Sequence, residues 1–490
     1  MSTNLQKLLL ALVSYLKTIL FTLLAGITIP STTTTTTTRT RTTRRSPQHH
    51  SPHHPSPAID TTALLSTISS LAAADHEPAA RLHAMIAHDG GGTWPPRFPS
   101  DLSAWPAPLR GYHEAYHLWA PHLYSAHPST SDATNIALRS AFRARLAAAL
   151  EAHVDVGAVV ALLERSETDA AAVRADVFNA FFACVAMTRH AYRWATIPAV
   201  RVAQEEKAVG YPAALGVPWG YLQRRYGFGS QAGNALTNFL YHWGGEEVGP
   251  VYKVNVGEGV APAVERAEYW FAFMFAETER LAVPVYVEVV RALGAWERGE
   301  RAAVLAALRE MRERVRDVVK VLYDNLVESK IEREVWLGWV QGFHAYGAGE
   351  EVDGAYVESD GVSGNQLPFF QVVDAFLGMG AYLSPEESRT SVSVRQRMFS
   401  AEVRKKSFRR EAKEMGDDEV EREMAAIAKQ VRVWRAAHKV RIVPYLAQPA
   451  PERMLMMAGK SVLETKGVKS IKGVVEYLDY LVGGRIEQTK

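Results

Sequence analysis

The sequence predicts an all-α protein. Apolar residues after residue 59 recur mostly at three- and four-residue spacing, as in 135–163 (NIALRSAFRARLAAALEAHVDVGAVVALL). No repeated βαβ pattern and no GxGxxG or GxxxxGK run is present, which argues against nucleotide-binding α/β folds. Pro/Gly-rich joints at 89–109 and 211–219 punctuate the helical runs.

Taken in order, the 490 residues begin with two apolar runs, 8–16 and 18–29, broken by Lys17. Together they are long enough to span a bilayer if the lysine snorkels to one surface. A membrane anchor, a signal peptide and a short organelle-targeting segment all fit residues 1–30. Four arginines follow the runs and one lysine precedes them, so an anchor would leave the remaining chain on the cytoplasmic side. Residues 31–58, rich in Thr, Pro and His, hold no large apolar side chain and read as a disordered linker. Its four histidines, 49, 50, 53 and 54, are read as compositional bias rather than as a metal site.

A small helical domain is expected over 59–255 and a large one over 262–490, joined through the glycine-bearing stretch 244–262. Long helices are expected at 262–296, 300–328, 331–345, 366–380 and 417–448. Residues 1–60 carry six basic side chains against Asp60 alone, or +5, leaving −3 for the rest of a chain whose total is +2. A slightly acidic body argues against nucleic acid as a partner. The single cysteine, Cys184, excludes an intramolecular disulfide and any multi-cysteine metal site. It lies in the apolar run FNAFFACVAM and reads as a buried, inert thiol.

Two segments carry the candidate chemistry. In 431–446 (VRVWRAAHKVRIVPYL), His438 lies four residues after Trp434 and four before Ile442, on the core-facing side of a helix. Such a histidine is either a hydrogen-bonded core residue or an axial haem ligand with Arg435 toward a propionate. In 361–380 (GVSGNQLPFFQVVDAFLGMG), a glycine-bearing loop leads into a helix with Asp374 among Phe370, Val373, Phe376 and Leu377. A carboxylate in that setting needs a partner, and Arg435 is the sensible one; a purely structural pair accounts for it nearly as well. The stretch YWFAFMF (269–275) is dense in aromatics, and no histidine occurs between 243 and 343 to supply an imidazole base there.

With these residues assembled, the chain resembles the indoleamine 2,3-dioxygenase family, in particular its fungal branch. The resemblance rests on FFQVVDAFLG, WRAAHKVRIVPYL, the SGNQ loop and HEPAARLHAMIAHDGGGTWPPR (76–97), and covers about 70 to 485. It implies an all-α fold in which a small N-terminal domain caps a large helical domain holding haem b. The implied reaction opens the indole C2–C3 bond of L-tryptophan with O2 to give N-formylkynurenine, the first step of the kynurenine pathway. It further implies His438 as the iron ligand, Arg435 at a haem propionate and Asp374 beside it. Phe271 would stack on the indole, with Phe273 if the register set by Glu279 slips. Ser363 and Gly364 would form the loop over substrate and haem edge, and Trp336 a second pocket aromatic.

Two departures bear on substrate. Where the family has an arginine for the amino-acid carboxylate, this chain has Gln341, which offers amide hydrogen bonds and no charge. The glycine/threonine-rich loop near the family's C-terminus reads here as KGVKSIKGVVEYL (466–478), and Arg404 or Lys469 are the candidates to replace a lost positive charge. The expected partners are thus L-tryptophan or another indole, O2 and a reductant, for a monomeric protein in the cytoplasm, with membrane contact or organelle targeting through 8–29. The alternatives are a haem protein of the same fold with weak or altered indole activity or an O2/redox-binding role, and a cofactor-free, membrane-tethered helical protein.

Overall fold

The structure is a computed structural model that describes residues 61–73, 76–90, 105–119, 131–195, 206–235, 260–336, 363–446 and 483–488, with shorter pieces between them. All of these fall within one compact unit, Pro57–Lys490. The apolar runs at 8–29, the linker at 31–58, Gln341 and the 466–478 loop lie outside the described residues. Among the described residues no single helix is long and apolar enough to cross a membrane.

The fold is mostly helical, as expected. Its first half runs α1 (Thr61–Ala73), α2 (Glu77–Asp89), β1 (Arg97–Phe98), α3 (Ala107–Trp119), α4 (Asp132–His153), α5 (Val156–Thr168), α6 (Ala175–Trp194) and α7 (Ala213–Tyr226). Strands β2 (Tyr241–Trp243) and β3 (Pro250–Tyr252) complete a three-stranded sheet in the order β1-β2-β3. β1 pairs parallel to β2 with Arg97 opposite Tyr241, and β2 pairs antiparallel to β3 with Tyr241 opposite Tyr252.

The second half contains α8 (Pro262–Glu297), α9 (Arg301–Asn325) and the short turn α10 (Arg333–Val335). A hairpin, β4 (Ala348–Val352) with β5 (Ala355–Ser359), follows, and then a 3-10 turn at Gly364–Gln366. Five helices follow, α11 (Pro368–Phe376), α12 (Pro385–Ser391), α13 (Val394–Lys406), α14 (Arg409–Glu414) and α15 (Asp418–Leu446), and residues 483–488 are again helical. The expected helix 331–345 is described only in part, as α10.

Local chemistry explains where these helices begin and end. The helical spacing of 135–163 falls on two helices, α4 and α5, because Asp155 caps α5 by accepting from Ala158 N–H at 3.0 Å. The expected joint at 211–219 is corrected, since α7 runs through it with Pro218 in its interior. A proline there removes one backbone donor and leaves the Ala214 carbonyl without its helical partner. That carbonyl instead accepts from the Tyr112 hydroxyl at 2.5 Å, tying α7 to α3.

α6 is buried almost all round from Val177 to Trp194, as a central core helix must be. Cys184 sits within it, and burial pushes its thiol pKa up to about 12, in keeping with an inert role. In the second half α8 packs along α9, and α9 against α15. The face of α8 from Leu281 to Ala295 is almost entirely buried, so this helix is the wall against which α9, α11 and α13 assemble.

Candidate functional site

The aromatic end of α8 is the first part of the site. Phe271 is buried and meets Phe275, one turn on, at a ring-centroid distance of 5.1 Å. The next turn of chain to reach it is the SGNQ loop, where Ser363 caps the 3-10 turn. Its side chain accepts from Asn365 N–H, while its own N–H donates to Gln366 Oε1 at 3.2 Å. This reciprocal cap fixes the loop so that a Cβ on Gly364 would stand 4.0 Å from the Phe275 ring. Phe271 and Gly364, predicted separately, therefore meet through Phe275. Phe273, the alternative to Phe271, instead stacks on Tyr269 at 5.8 Å and meets Trp270 edge-on.

The sequence reading expected no imidazole beside these rings, and here the structure corrects it. His344 lies 5.7 Å from Phe271 and is buried, with burial holding its pKa well below the ordinary histidine value. It is the first residue past the histidine-free stretch 243–343, and only the chain's return to α8 makes it a neighbour.

Glu279, two turns along α8 from Phe271, joins this end to α11. Its carboxyl accepts from Phe369 N–H at 3.0 Å and from the Tyr286 hydroxyl at 2.8 Å, capping the start of α11. Complete burial pushes its pKa up to about 8, against the lowering effect of those two donors.

The second part lies between α11 and α15. Phe370 packs on Trp434 at 4.3 Å, and the Trp434 indole lies parallel to the His438 imidazole at 5.0 Å. Burial pushes the His438 pKa down to about 4, so its ring is neutral at ordinary pH. One turn back, Arg435 Nη2 donates to both carboxylate oxygens of Asp374 at 2.7 Å, as the sequence anticipated. Arg435 Nη1 also approaches the Met379 sulfur at 3.9 Å, and Arg485 stands 3.7 Å from the same carboxylate. Even so, burial holds the Asp374 pKa above the usual carboxylate value, with Arg435 acting against it.

Trp336 packs edge-on against Tyr445 of α15 at 5.4 Å, and Tyr445 donates to the Ile331 carbonyl at 2.7 Å. This places Trp336 at the junction of α10 and α15. Arg404, a candidate for the missing positive charge, donates to the Met379 carbonyl and belongs to the surroundings of Asp374. Phe275, Phe370, Trp434 and Tyr445 were not singled out as site residues, although the four-residue steps Phe271–Phe275 and Trp434–His438 carry the signal for two of them.

The cofactor expectation does not survive. Among the described residues there is no group of three or more His, Cys, Asp or Glu side chains that could hold a metal ion. His438 faces an indole in parallel stacking, and the only carboxylate of this cluster, Asp374, is engaged by Arg435. The donor set does not support a haem b iron with His438 as its ligand, and the functional reading is built without it.

Comparison with known proteins adds no assignment. No family model matches the chain. No curated protein matches it either.

Proposed function

We propose that this protein is an indole dioxygenase of the indoleamine 2,3-dioxygenase type, acting on L-tryptophan or a related indole. The single observation that carries this reading is the meeting of Phe271, Phe275 and the capped SGNQ turn at one end of α8. Flat aromatic faces beside a small-residue turn suit a planar bicyclic substrate, with little desolvation of polar groups. The neutral His344 beside Phe271 offers a hydrogen-bonding nitrogen without adding charge. The supporting resemblance assigns Phe271, Ser363, Gly364 and Trp336 to substrate and Gln341 to its carboxylate end.

The reaction is balanced without outside electrons. The C2–C3 bond of the indole breaks, each carbon takes one atom of O2, and N-formylkynurenine forms. The protein's part is to hold the ring in place and exclude water.

The test is incubation of the full chain as isolated from its expression host with L-tryptophan under ¹⁸O₂, followed by mass spectrometry. Product carrying both labelled atoms, lost in Phe271→Ala, is the expected outcome. Folded protein that yields no N-formylkynurenine from L-tryptophan and no ring-opened product from indole overturns the proposal.

A further inference from the structure

A cleft of about 320 Å³ opens between α7 and the β4–β5 hairpin and shares none of the residues assigned above. Arg189, on α6, lines it. The side chain belongs to a residue only 2% exposed, and its guanidinium carbon lies over the Tyr211 ring at 3.9 Å and over the Trp219 ring at 4.5 Å.

Among the described residues, every acceptor this guanidinium reaches is neutral. Nη1 donates to the Leu215 carbonyl at 3.4 Å, and Nη2 donates to the Gln231 carbonyl at 3.3 Å and to Gln231 Oε1 at 2.6 Å. Nε is buried with no acceptor. Among the described residues no carboxylate pairs with Arg189, whereas Arg193, one turn along the same helix, has Glu206 at 3.1 Å. A buried charge without a direct counter-ion is costly, and an anion in the cleft would offset that cost.

The walls are consistent with a ligand. Gly216 and Gly220, one turn apart on α7, both line the cleft. A Cβ on Gly216 would meet nothing within 4 Å, so the space is open although no backbone requirement keeps a larger residue out. In a helix, glycine costs about 1 kcal/mol relative to alanine, which makes its presence at that position informative. Val209, Ala348 and the aromatic rings supply apolar wall. Glu350, on the hairpin, also lines the cleft and accepts from Gln231 Nε2 at 2.6 Å, placing one negative charge at the cleft wall.

We propose that this cleft binds a small organic carboxylate, its single negative charge over Arg189 and its apolar body against Trp219 and Tyr211. A monoanion fits better than a phosphate ester, because Glu350 repels a second negative charge.

The test is calorimetric titration of the full-length protein with benzoate and, separately, with phenyl phosphate at a pH where the ester is a dianion. Benzoate is expected to bind with a dissociation constant below about 1 mM, more weakly as salt is raised. Gly216→Leu fills the cleft while favouring the helix, and should weaken benzoate at least tenfold with an unchanged circular dichroism spectrum. Arg189→Gln should do the same if it folds; Gly216→Leu decides the matter if it does not. Absence of benzoate binding, binding in Gly216→Leu within twofold of the original, or tighter binding of phenyl phosphate than of benzoate overturns the proposal.

Discussion

Two carboxylates in this protein are each surrounded by arginines, and they respond to them in opposite ways. Glu206 faces Arg143 at 2.6 Å, Arg193 at 3.1 Å and Arg139 at 3.7 Å. Asp374 faces Arg435 at 2.7 Å and Arg485 at 3.7 Å. The Glu206 side chain keeps 21% of its surface open and that of Asp374 keeps 2%. Burial raises both pKa values, yet at Glu206 the Arg143 hydrogen bonds and the three nearby charges together outweigh it, so the carboxyl lies below its ordinary value. At Asp374 burial wins. Contact with arginine therefore does not by itself set the ionisation of a carboxylate; the water it has surrendered decides how much pairing is needed.

The largest expected effect is loss of Asp374. Asp374→Ala would leave Arg435 buried without its carboxylate and should destabilise the fold by about 3–5 kcal/mol. Glu206→Ala should cost less, about 1–2 kcal/mol, because Arg193 keeps the Glu206 and Tyr346 carbonyls as acceptors and Arg143 keeps those of Tyr192 and Arg193. Urea unfolding of both variants measures the difference. Equal losses would mean that burial is not what separates the two sites.

Glu279 sharpens the comparison, being as buried as Asp374 but paired only with a backbone N–H and a tyrosine hydroxyl. Its carboxyl is raised from 4.5 to about 8, so the proton it holds in the folded state contributes stability fully present below pH 4.5. That contribution is lost as pH rises through 8, on the order of 5 kcal/mol at ~1.36 kcal/mol per unit. Glu279→Gln keeps an acceptor for Phe369 N–H and cannot ionise, so its stability should fall less across that window. A variant whose pH–stability curve parallels the original would show that Glu279 is not the titrating group.

The same sign argument separates the arginine-bound pair. Glu206 is lowered, so its contribution is present above pH 4.5 and fades as pH falls through its folded value. Glu206→Gln should flatten the acid limb of the stability curve. Asp374 is raised, so its protonated form contributes fully below 3.8 and that contribution fades as pH rises. Asp374→Asn should remove a decline rather than a gain, opposite in sign to the first variant. Changes of the same sign in both would defeat the contrast.

The Asp374–Arg435 pair was legible in the sequence because an acid in the apolar run FFQVVDAFLG and an arginine one turn from a core histidine each advertise a need for a partner. The long helices α8 and α15 were legible for the same kind of reason, sustained three- and four-residue apolar spacing. The β4–β5 hairpin was not read, although Asp353-Gly354 between short apolar-polar runs signals a two-residue turn, and Gly354 takes φ 78° there. Helix α7 was misread because Pro212 and Pro218 look like breakers when the first serves as a cap and the second surrenders its acceptor to Tyr112. Arg189 could not have been found at all. Its distinction from Arg193 is the lack of a carboxylate partner among the described residues, and neither residue's neighbours in sequence reveal it.

The smallest effect concerns the second arginine at Asp374. Arg485 stands 3.7 Å from the carboxylate, too far for a good hydrogen bond, and spends Nη1 on the Gly380 carbonyl at 2.6 Å while its guanidinium lies over Tyr382 at 4.7 Å. What it gives Asp374 is charge alone, and part of that is cancelled by its own desolvation, which lowers its pKa. Arg435 gives two hydrogen bonds and charge together. A double-mutant cycle between Arg485→Gln and Asp374→Asn should therefore return a coupling of about 0.5–1 kcal/mol, against about 2–3 kcal/mol for Arg435→Gln with the same partner. Because Arg485 favours the ionised acid, Arg485→Gln should also push the Asp374 pKa higher still, which the proton resonances of a selectively labelled aspartate would report. An Arg485 coupling as large as that of Arg435 would mean that charge, rather than bidentate contact, holds the buried acid in place.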